Sequence, residues 1–336
     1  MRISVAMATH DAEPFLRPLL ESLAAQSRLP DELVVCDDAS SDGGPQVAEE
    51  FAASAPFPVR VHRCERWRGH VAAFLDAARR CTGDAIAFCD ADDVWRPDKL
   101  AVCGEALERT GAILALHTTA VVDAGLADQG RRWPAIRATE LVPPLGLTGL
   151  DIDAPGMAML FRRELLEVAP FDDRPPSRYG NGRLMLHDEW VFFLAGVLGP
   201  IQLIDEPLLL YRQHGSNDSG GWVERRRERT LRPATDDYRN AAEHTRACAA
   251  YLERAARANP GAAERLLAGA RAFAETAESW ELRERLYAAP DRRSRARVLR
   301  RLLAARAYRD RRTGGFGRVA LGKDLAGVAL RVGGRR

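Results

Sequence analysis

Residues 85–95 read Ala85-Ile-Ala-Phe-Cys-Asp-Ala-Asp-Asp-Val-Trp95. An apolar run, Ala85 to Cys89, stops abruptly at three carboxylates, Asp90, Asp92 and Asp93. A short apolar run bounded in this way is a buried strand with acids at its C-terminal end. In an open α/β sheet that edge is where ligands bind. Three acids so close together repel one another unless positive charge sits among them, and a hard divalent cation, which takes oxygen ligands and keeps several waters, meets that need. Asp90 and Asp92 are the candidate pair. Asp93 has a second reading as a cap of the next helix, because Pro97 and Asp98 look like a first helical turn.

The chain on either side repeats this pattern. Ile3-Ser-Val-Ala-Met-Ala-Thr9 is a buried strand followed by the turn His10-Asp11-Ala-Glu-Pro14, and Leu33-Val-Val-Cys36 is another, running into Asp37-Asp38-Ala-Ser-Ser-Asp-Gly43. Helices are expected over 15–26, 45–54, 70–81 and 97–108, with further strands at Val59–His62 and within 112–122. Strands alternating with helices give a mostly parallel sheet with helices on both faces. Beyond it, 123–154 reads as irregular, Gly156–Phe161 as a strand, Arg163–Val168 as a short helix and 172–183 as a flexible Pro- and Gly-rich loop. A helix over 187–198 and two apolar segments, Ile201–Ile204 and Pro207–His214, follow. Three units emerge: a sheet domain over 1–215, a helical extension over 216–306 broken near Pro260 and Pro290, and a basic tail over 307–336.

Composition narrows the class. The chain has 336 residues, 46% hydrophobic and 29% charged, as in soluble globular proteins. Its six cysteines lack CxxC spacing and several fall inside expected strands or helices, which suits packed thiols in a reducing cytosol rather than a disulfide frame or zinc site. The N-terminus is too short and too quickly polar for a signal peptide, and no apolar run reaches membrane-span length. Net charge is +2, but residues 281–336 carry 17 Lys/Arg against 5 Asp/Glu, a net +12 that leaves −10 for the remainder. A basic end on an acidic body suits an anionic surface.

Three strand ends thus bring polar groups to one edge: Thr9 and Asp11, Asp37 and Asp38, Asp90 and Asp92. Neither the dinucleotide fingerprint GxGxxG nor the P-loop GxxxxGK[ST] is present, so a phosphate ligand has to be neutralised by metal and basic side chains. Asp38 is placed to accept from a base or ribose, or to serve as a plain turn acid. Asp188 opens a helix, where the helix dipole favours the carboxylate form; it reads either as a first-turn acid or as a base, with Glu189 as its neighbour in register. Trp95 and Trp190 offer apolar faces to a sugar, or pack in the core.

Taken in order, the first strand, the segment Val34-Val-Cys-Asp-Asp-Ala-Ser-Ser-Asp42 and the acid-rich strand end resemble family-2 glycosyltransferases with the GT-A fold, over roughly residues 1–215. The acid cluster resembles that family's DxD motif. His187-Asp-Glu-Trp190 and Tyr211-Arg-Gln-His-Gly-Ser-Asn217 resemble downstream motifs of its bacterial rhamnosyltransferase-like branch. The resemblance implies an α/β GT-A sheet with a C-terminal helical extension, and an inverting, metal-dependent transfer from a UDP- or dTDP-sugar to an acceptor hydroxyl. It implies Thr9, Asp11, Asp38, Arg68, Asp90 and Arg212 around the nucleotide, Asp92 and His214 on Mg²⁺ or Mn²⁺, and Asp188 as general base. The residues around Arg68 depart from the family's usual pattern. The acceptor is expected to be lipid-linked or a natural product, with no nucleic-acid partner. The expected location is cytoplasmic, with the basic tail peripheral at the inner face of the plasma membrane. Two alternatives stand beside this reading: a sugar-phosphate nucleotidyltransferase, and a non-catalytic membrane-surface binding protein on the same fold.

Overall fold

The computed structural model describes residues 1–146, 153–178, 182–215, 234–309 and 315–330. Its N-terminal half alternates strands and helices: β1 (Ile3–Thr9), α1 (Glu13–Ala24), β2 (Glu32–Asp37), α2 (Gly44–Ala52), β3 (Val59–Arg63), α3 (His70–Arg80), β4 (Ala85–Asp90), the short β5 (Val94–Trp95) and α4 (Lys99–Thr110). There follow β6 (Leu114–Asp123), β7 (Asp128–Trp133), β8 (Glu140–Val142), β9 (Met159–Arg162), α5 (His187–Leu198) and β10 (Ile201–Gln213). The C-terminal helices are α6 (Ala234–Ala258), α7 (Ala263–Ala288), α8 (Arg292–Ala304) and α9 (Gly317–Leu330).

The strands form one sheet in the order β3-β2-β1-β4-β9-β6-β10-β5, with β7 on β6 and β8 on β10. Strands β3, β2, β1 and β4 run parallel. β9 then lies antiparallel between β4 and β6, so the sheet is mixed beyond its N-terminal half. Alternation along each strand sends side chains to opposite faces. Ile3, Val5, Met7, Leu33, Val35, Ala85 and Ala87 pack with α1 and α4, while Ala6, Val34, Cys36, Ile86 and Phe88 pack with α3 and α5. Both faces are covered, which explains why these strands read as unbroken apolar runs.

Two expectations change. The stretch 123–154 holds strands β7 and β8; β7, Asp-Gln-Gly-Arg-Arg-Trp, is exposed along most of its length and offers no apolar alternation to read. The two segments flanking Pro207 are one strand, β10, whose register against β6 slips on either side of that proline. A residue without an N–H interrupts the ladder, and the strand absorbs it as a bulge.

The helical extension packs on the sheet domain through α5. Phe193 meets Phe273 edge to face at 5.3 Å, and the Trp190 indole donates to the Tyr251 hydroxyl (2.8 Å). Breaks fall at Pro260 and Pro290, between α6, α7 and α8. The described part of the tail is folded back: Phe316, Ala320 and the buried Asp324 close a small core with α7 and α8. All six cysteines are free thiols. Among the described residues, no helix is long and apolar enough to cross a membrane.

Candidate active site

Register places the strand ends together. Thr9 pairs with Asp37 across β1–β2, and Ala8 pairs with Asp90 across β1–β4, so the three termini end level at one edge. Thr9 is buried, and its hydroxyl has no hydrogen-bond partner among the described residues. Asp11, at positive φ, accepts from the Ser41 N–H (2.7 Å), which holds its carboxyl below the ordinary carboxylate range.

Asp38 is 1% exposed. Its carboxylate accepts from the main-chain N–H groups of Arg68 (3.0 Å) and Gly69 (2.7 Å). Gly69 has φ +88°, a conformation that side-chain-bearing residues rarely adopt, and the turn that Asp38 holds leads directly into α3. The Arg68 guanidinium donates to Asp76 (3.1 Å) and to the Cys64 thiol sulfur (2.8 Å).

At the end of β4 the ligand atoms of Asp90, Asp92 and Asp93 all lie within 4.8 Å of one another. Asp93 is fully buried and does not cap α4, which starts at Lys99 after Asp98. One Asp93 oxygen accepts from the Arg212 N–H (3.1 Å), and the other has no hydrogen-bond partner among the described residues. Burial, then the charges of Asp92 and Asp90, push its carboxyl well above the usual range. Three converging hard oxygen donors, one of them an unsatisfied buried carboxylate oxygen, fit Mg²⁺ or Mn²⁺. His214 Nε2 lies 2.9 Å from Asp92 Oδ2, and its ring stacks on Phe15 at 4.4 Å. Arg212 is 6% exposed; its guanidinium donates to the carbonyls of Asp92 (2.7 Å) and Ala124 (3.0 Å), and so braces the acid loop against β10.

Asp188 sits in the first turn of α5. Its oxygens accept from the N–H groups of Glu189 (2.8 Å) and Gly156 (3.2 Å). Burial raises its carboxyl above the ordinary value despite these bonds. Glu189 is otherwise engaged: it accepts from the Leu186 N–H (3.0 Å) and the Ser177 hydroxyl (2.9 Å). The approach of Gly156 is close, since a Cβ there would meet His187 Nε2 at 3.2 Å and Asp188 Cβ at 3.3 Å. His187 stacks on Phe74 at 4.2 Å, neither ring nitrogen has a hydrogen-bond partner among the described residues, and burial holds it well below its ordinary pKa. Trp95 and Trp190 are both core residues, 3% and 1% exposed.

Sequence reasoning missed Gly156 and Lys99. Lys99 is buried, lies over the Trp95 ring (3.4 Å to its centre) and donates to the Met157 carbonyl (2.6 Å). It therefore ties the acid loop to the segment that holds Asp188. Burial lowers its pKa to about 8. A lysine at the start of a helix carries no sequence signal of burial. Gly156, directly before an apolar run, was a readable sign of close approach. Ser216 and Asn217 of the last motif lie outside the described residues.

A mixed sheet whose parallel strands end in clustered acids, with a first-turn helical carboxylate in the same domain, is consistent with a GT-A domain. Residues 4–168, just under half of the chain, match the family model of glycosyl transferase family 2. A Nostoc sp. protein described as the uncharacterized glycosyltransferase alr2836 is 28% identical over 65% of this chain and 66% of its own length. YwdF of Bacillus subtilis, also described as an uncharacterized glycosyltransferase, is 30% identical over 41% of this chain and 48% of its own. The chain thus spans about half to two thirds of these curated relatives. The crystal structure of S. aureus TarS 1-349 in complex with UDP-GlcNAc superposes with a TM-score of 0.53 at 18% identity, over 94% of this chain and 88% of that one.

Proposed function

We propose that the protein is an inverting glycosyltransferase that moves a sugar from a nucleoside diphosphate sugar, a UDP- or dTDP-sugar, to an acceptor hydroxyl with the help of Mg²⁺ or Mn²⁺. The convergence of the Asp90, Asp92 and Asp93 oxygens within 4.8 Å at the end of β4 carries this reading. Asp90 and Asp92, with His214 beside them, would hold the cation. When bound, it offsets negative charge on the departing diphosphate. Thr9 and Asp11 border the nucleotide. Asp38 is assigned to holding the 68–69 turn beside it, because its carboxylate is buried on two main-chain donors. By the same argument Arg212 positions the acid loop, and Arg68 stiffens the turn through Asp76.

Asp188 is the proposed general base. The acceptor oxygen forms a bond to the anomeric carbon as the bond from that carbon to the diphosphate oxygen breaks. The bonding electrons leave with the diphosphate, and the acceptor proton passes to Asp188. Two main-chain N–H groups fix the carboxylate, while its burial makes it a stronger base. Glu189 is bound into the α5 cap and is not assigned this role.

Incubation with UDP- and dTDP-sugars and simple acceptors, with and without Mn²⁺, tests the reading. The expected result is metal-dependent transfer with inverted anomeric configuration, seen by NMR. Release of pyrophosphate from a nucleoside triphosphate and a sugar phosphate would assign nucleotidyl transfer instead.

A further inference from the structure

The C-terminal helices carry a feature that sugar transfer does not use. Helix α8, Arg-Arg-Ser-Arg-Ala-Arg-Val-Leu-Arg-Arg-Leu-Leu-Ala, contains six arginines and no acid. It buries Leu299 and Leu302 against α7 and its neighbours, and turns Arg292, Arg293, Arg297, Arg300 and Arg301 to solvent. Among the described residues no carboxylate lies within salt-bridge distance of these five. Asp291, the nearest acid in sequence, is bound to the Ser294 N–H and hydroxyl (2.9 Å each). Arg293 and Arg297, and Arg297 and Arg301, are like charges four residues apart, an arrangement that disfavours the helix when nothing anionic lies against it. Five of the 17 Lys/Arg of the last 56 residues therefore share one helix face, ahead of the tail.

We infer that the outer face of α8, together with the exposed side of α9, binds the headgroup surface of an anionic lipid bilayer. Charge complementarity favours an anionic partner. The neighbouring apolar groups favour lipid over nucleic acid. Leu303 (47% exposed) on α8, and Val319 (69%) and Leu325 (49%) on α9 with Arg318 and Lys323, are exposed apolar side chains available to a lipid surface. The outward faces of α8 and α9 show no aromatic residue, whereas single-stranded nucleic acids are bound on aromatic stacking platforms. The surface is joined to the catalytic domain by packing, not by a linker: α8 rests on α7, and α7 rests on α5, the helix that bears Asp188, through Phe273 and Gly269. Binding here holds the acceptor side of the domain in a fixed relation to the bilayer.

The test is sedimentation of the full chain with phosphatidylcholine vesicles, with and without phosphatidylglycerol, at low and high salt. It reads binding alone and does not depend on sugar transfer. The wild type is expected to bind only the phosphatidylglycerol vesicles and to be released by salt. Arg293→Gln/Arg297→Gln/Arg300→Gln should bind them about 100-fold more weakly, the loss expected for three basic side chains at such a surface. The matching triple Lys variant should bind like wild type, which separates charge from a fold defect. Val319→Ser/Leu325→Ser should weaken vesicle binding and leave retention on heparin unchanged. Binding to both vesicle types alike, no binding, an unaffected triple Gln variant, or tighter binding to single-stranded RNA than to vesicles would each overturn the inference.

Discussion

Two buried clusters in this molecule centre on aspartate, and they are built in opposite ways. Asp324 is fully buried and completely matched: Arg283 Nε lies 3.0 Å from Oδ2, Arg283 Nη2 donates to Oδ1 (3.1 Å), and the hydroxyls of Tyr287 (2.6 Å) and Tyr308 (2.7 Å) donate as well. Asp93 is equally buried, yet two more carboxylates lie beside it, and one of its oxygens has no hydrogen-bond partner among the described residues. A fully matched buried acid fixes structure, whereas a buried acid with an unmatched oxygen, set beside two other carboxylates, suits a cation. The arrangement of donors around a carboxylate, rather than its burial, separates the two roles.

Breaking each cluster in turn should separate activity from stability. The largest effect is expected for Asp92→Ala, which should lower kcat/KM about 1,000-fold or more, the several kcal/mol that a bound metal contributes. Calorimetry in metal-free buffer should show its melting temperature at or above that of wild type, because a repulsion has been removed. Asp188→Asn should lower kcat by about 100- to 10,000-fold, the range of general-base catalysis, and leave nucleotide binding intact by thermal shift. In the wild type the base must be ionised to act. Activity should therefore rise with pH through the Asp188 pKa, and that acid limb should lie above the ordinary carboxylate range.

Asp324→Ala is the mirror experiment. It leaves a buried guanidinium unpaired and should cost about 3–5 kcal/mol in denaturant unfolding, with kcat near wild type where the protein remains folded. The smallest effect sharpens the comparison at Lys99, whose pKa is about 8 folded against 10.5 for the free side chain. Between these values the unfolded chain binds the extra proton, so stability should rise as pH climbs from about 8 to 10.5. Lys99→Met should flatten that slope in pH-dependent urea titrations.

The strand-end half of the candidate site was legible in the sequence because it is local. Each strand end joins an apolar run to an acid within a few residues, and parallel register then aligns Thr9, Asp37 and Asp90 without further information. Asp188 was legible as a helix-start acid for the same reason. What could not be read is what arises from distant pairing. Nothing near Asp38 announces that Arg68 and Gly69 will occupy it, and nothing near Lys99 announces Met157. The family resemblance implies Arg212 around the nucleotide, and only the fold shows its guanidinium donating to the carbonyl of Asp92 in the acid loop and to that of Ala124 after β6. Trp95 and Trp190 were ambiguous because an aromatic side chain serves core and sugar equally well, and only burial decides. The helical breaks at Pro260 and Pro290 were readable because proline punctuates helices wherever it occurs.

The position of β9 has a consequence for how the chain is made. Phe161 and Leu160 pair with Ile86 and Ala87 on one side, and with Leu114 and Ala115 on the other. Until residue 162 has left the ribosome, β4 and β6 each present a bare apolar edge with nothing between them. The nascent protein is then a half-sheet with a missing stave, open to pairing with any neighbouring strand.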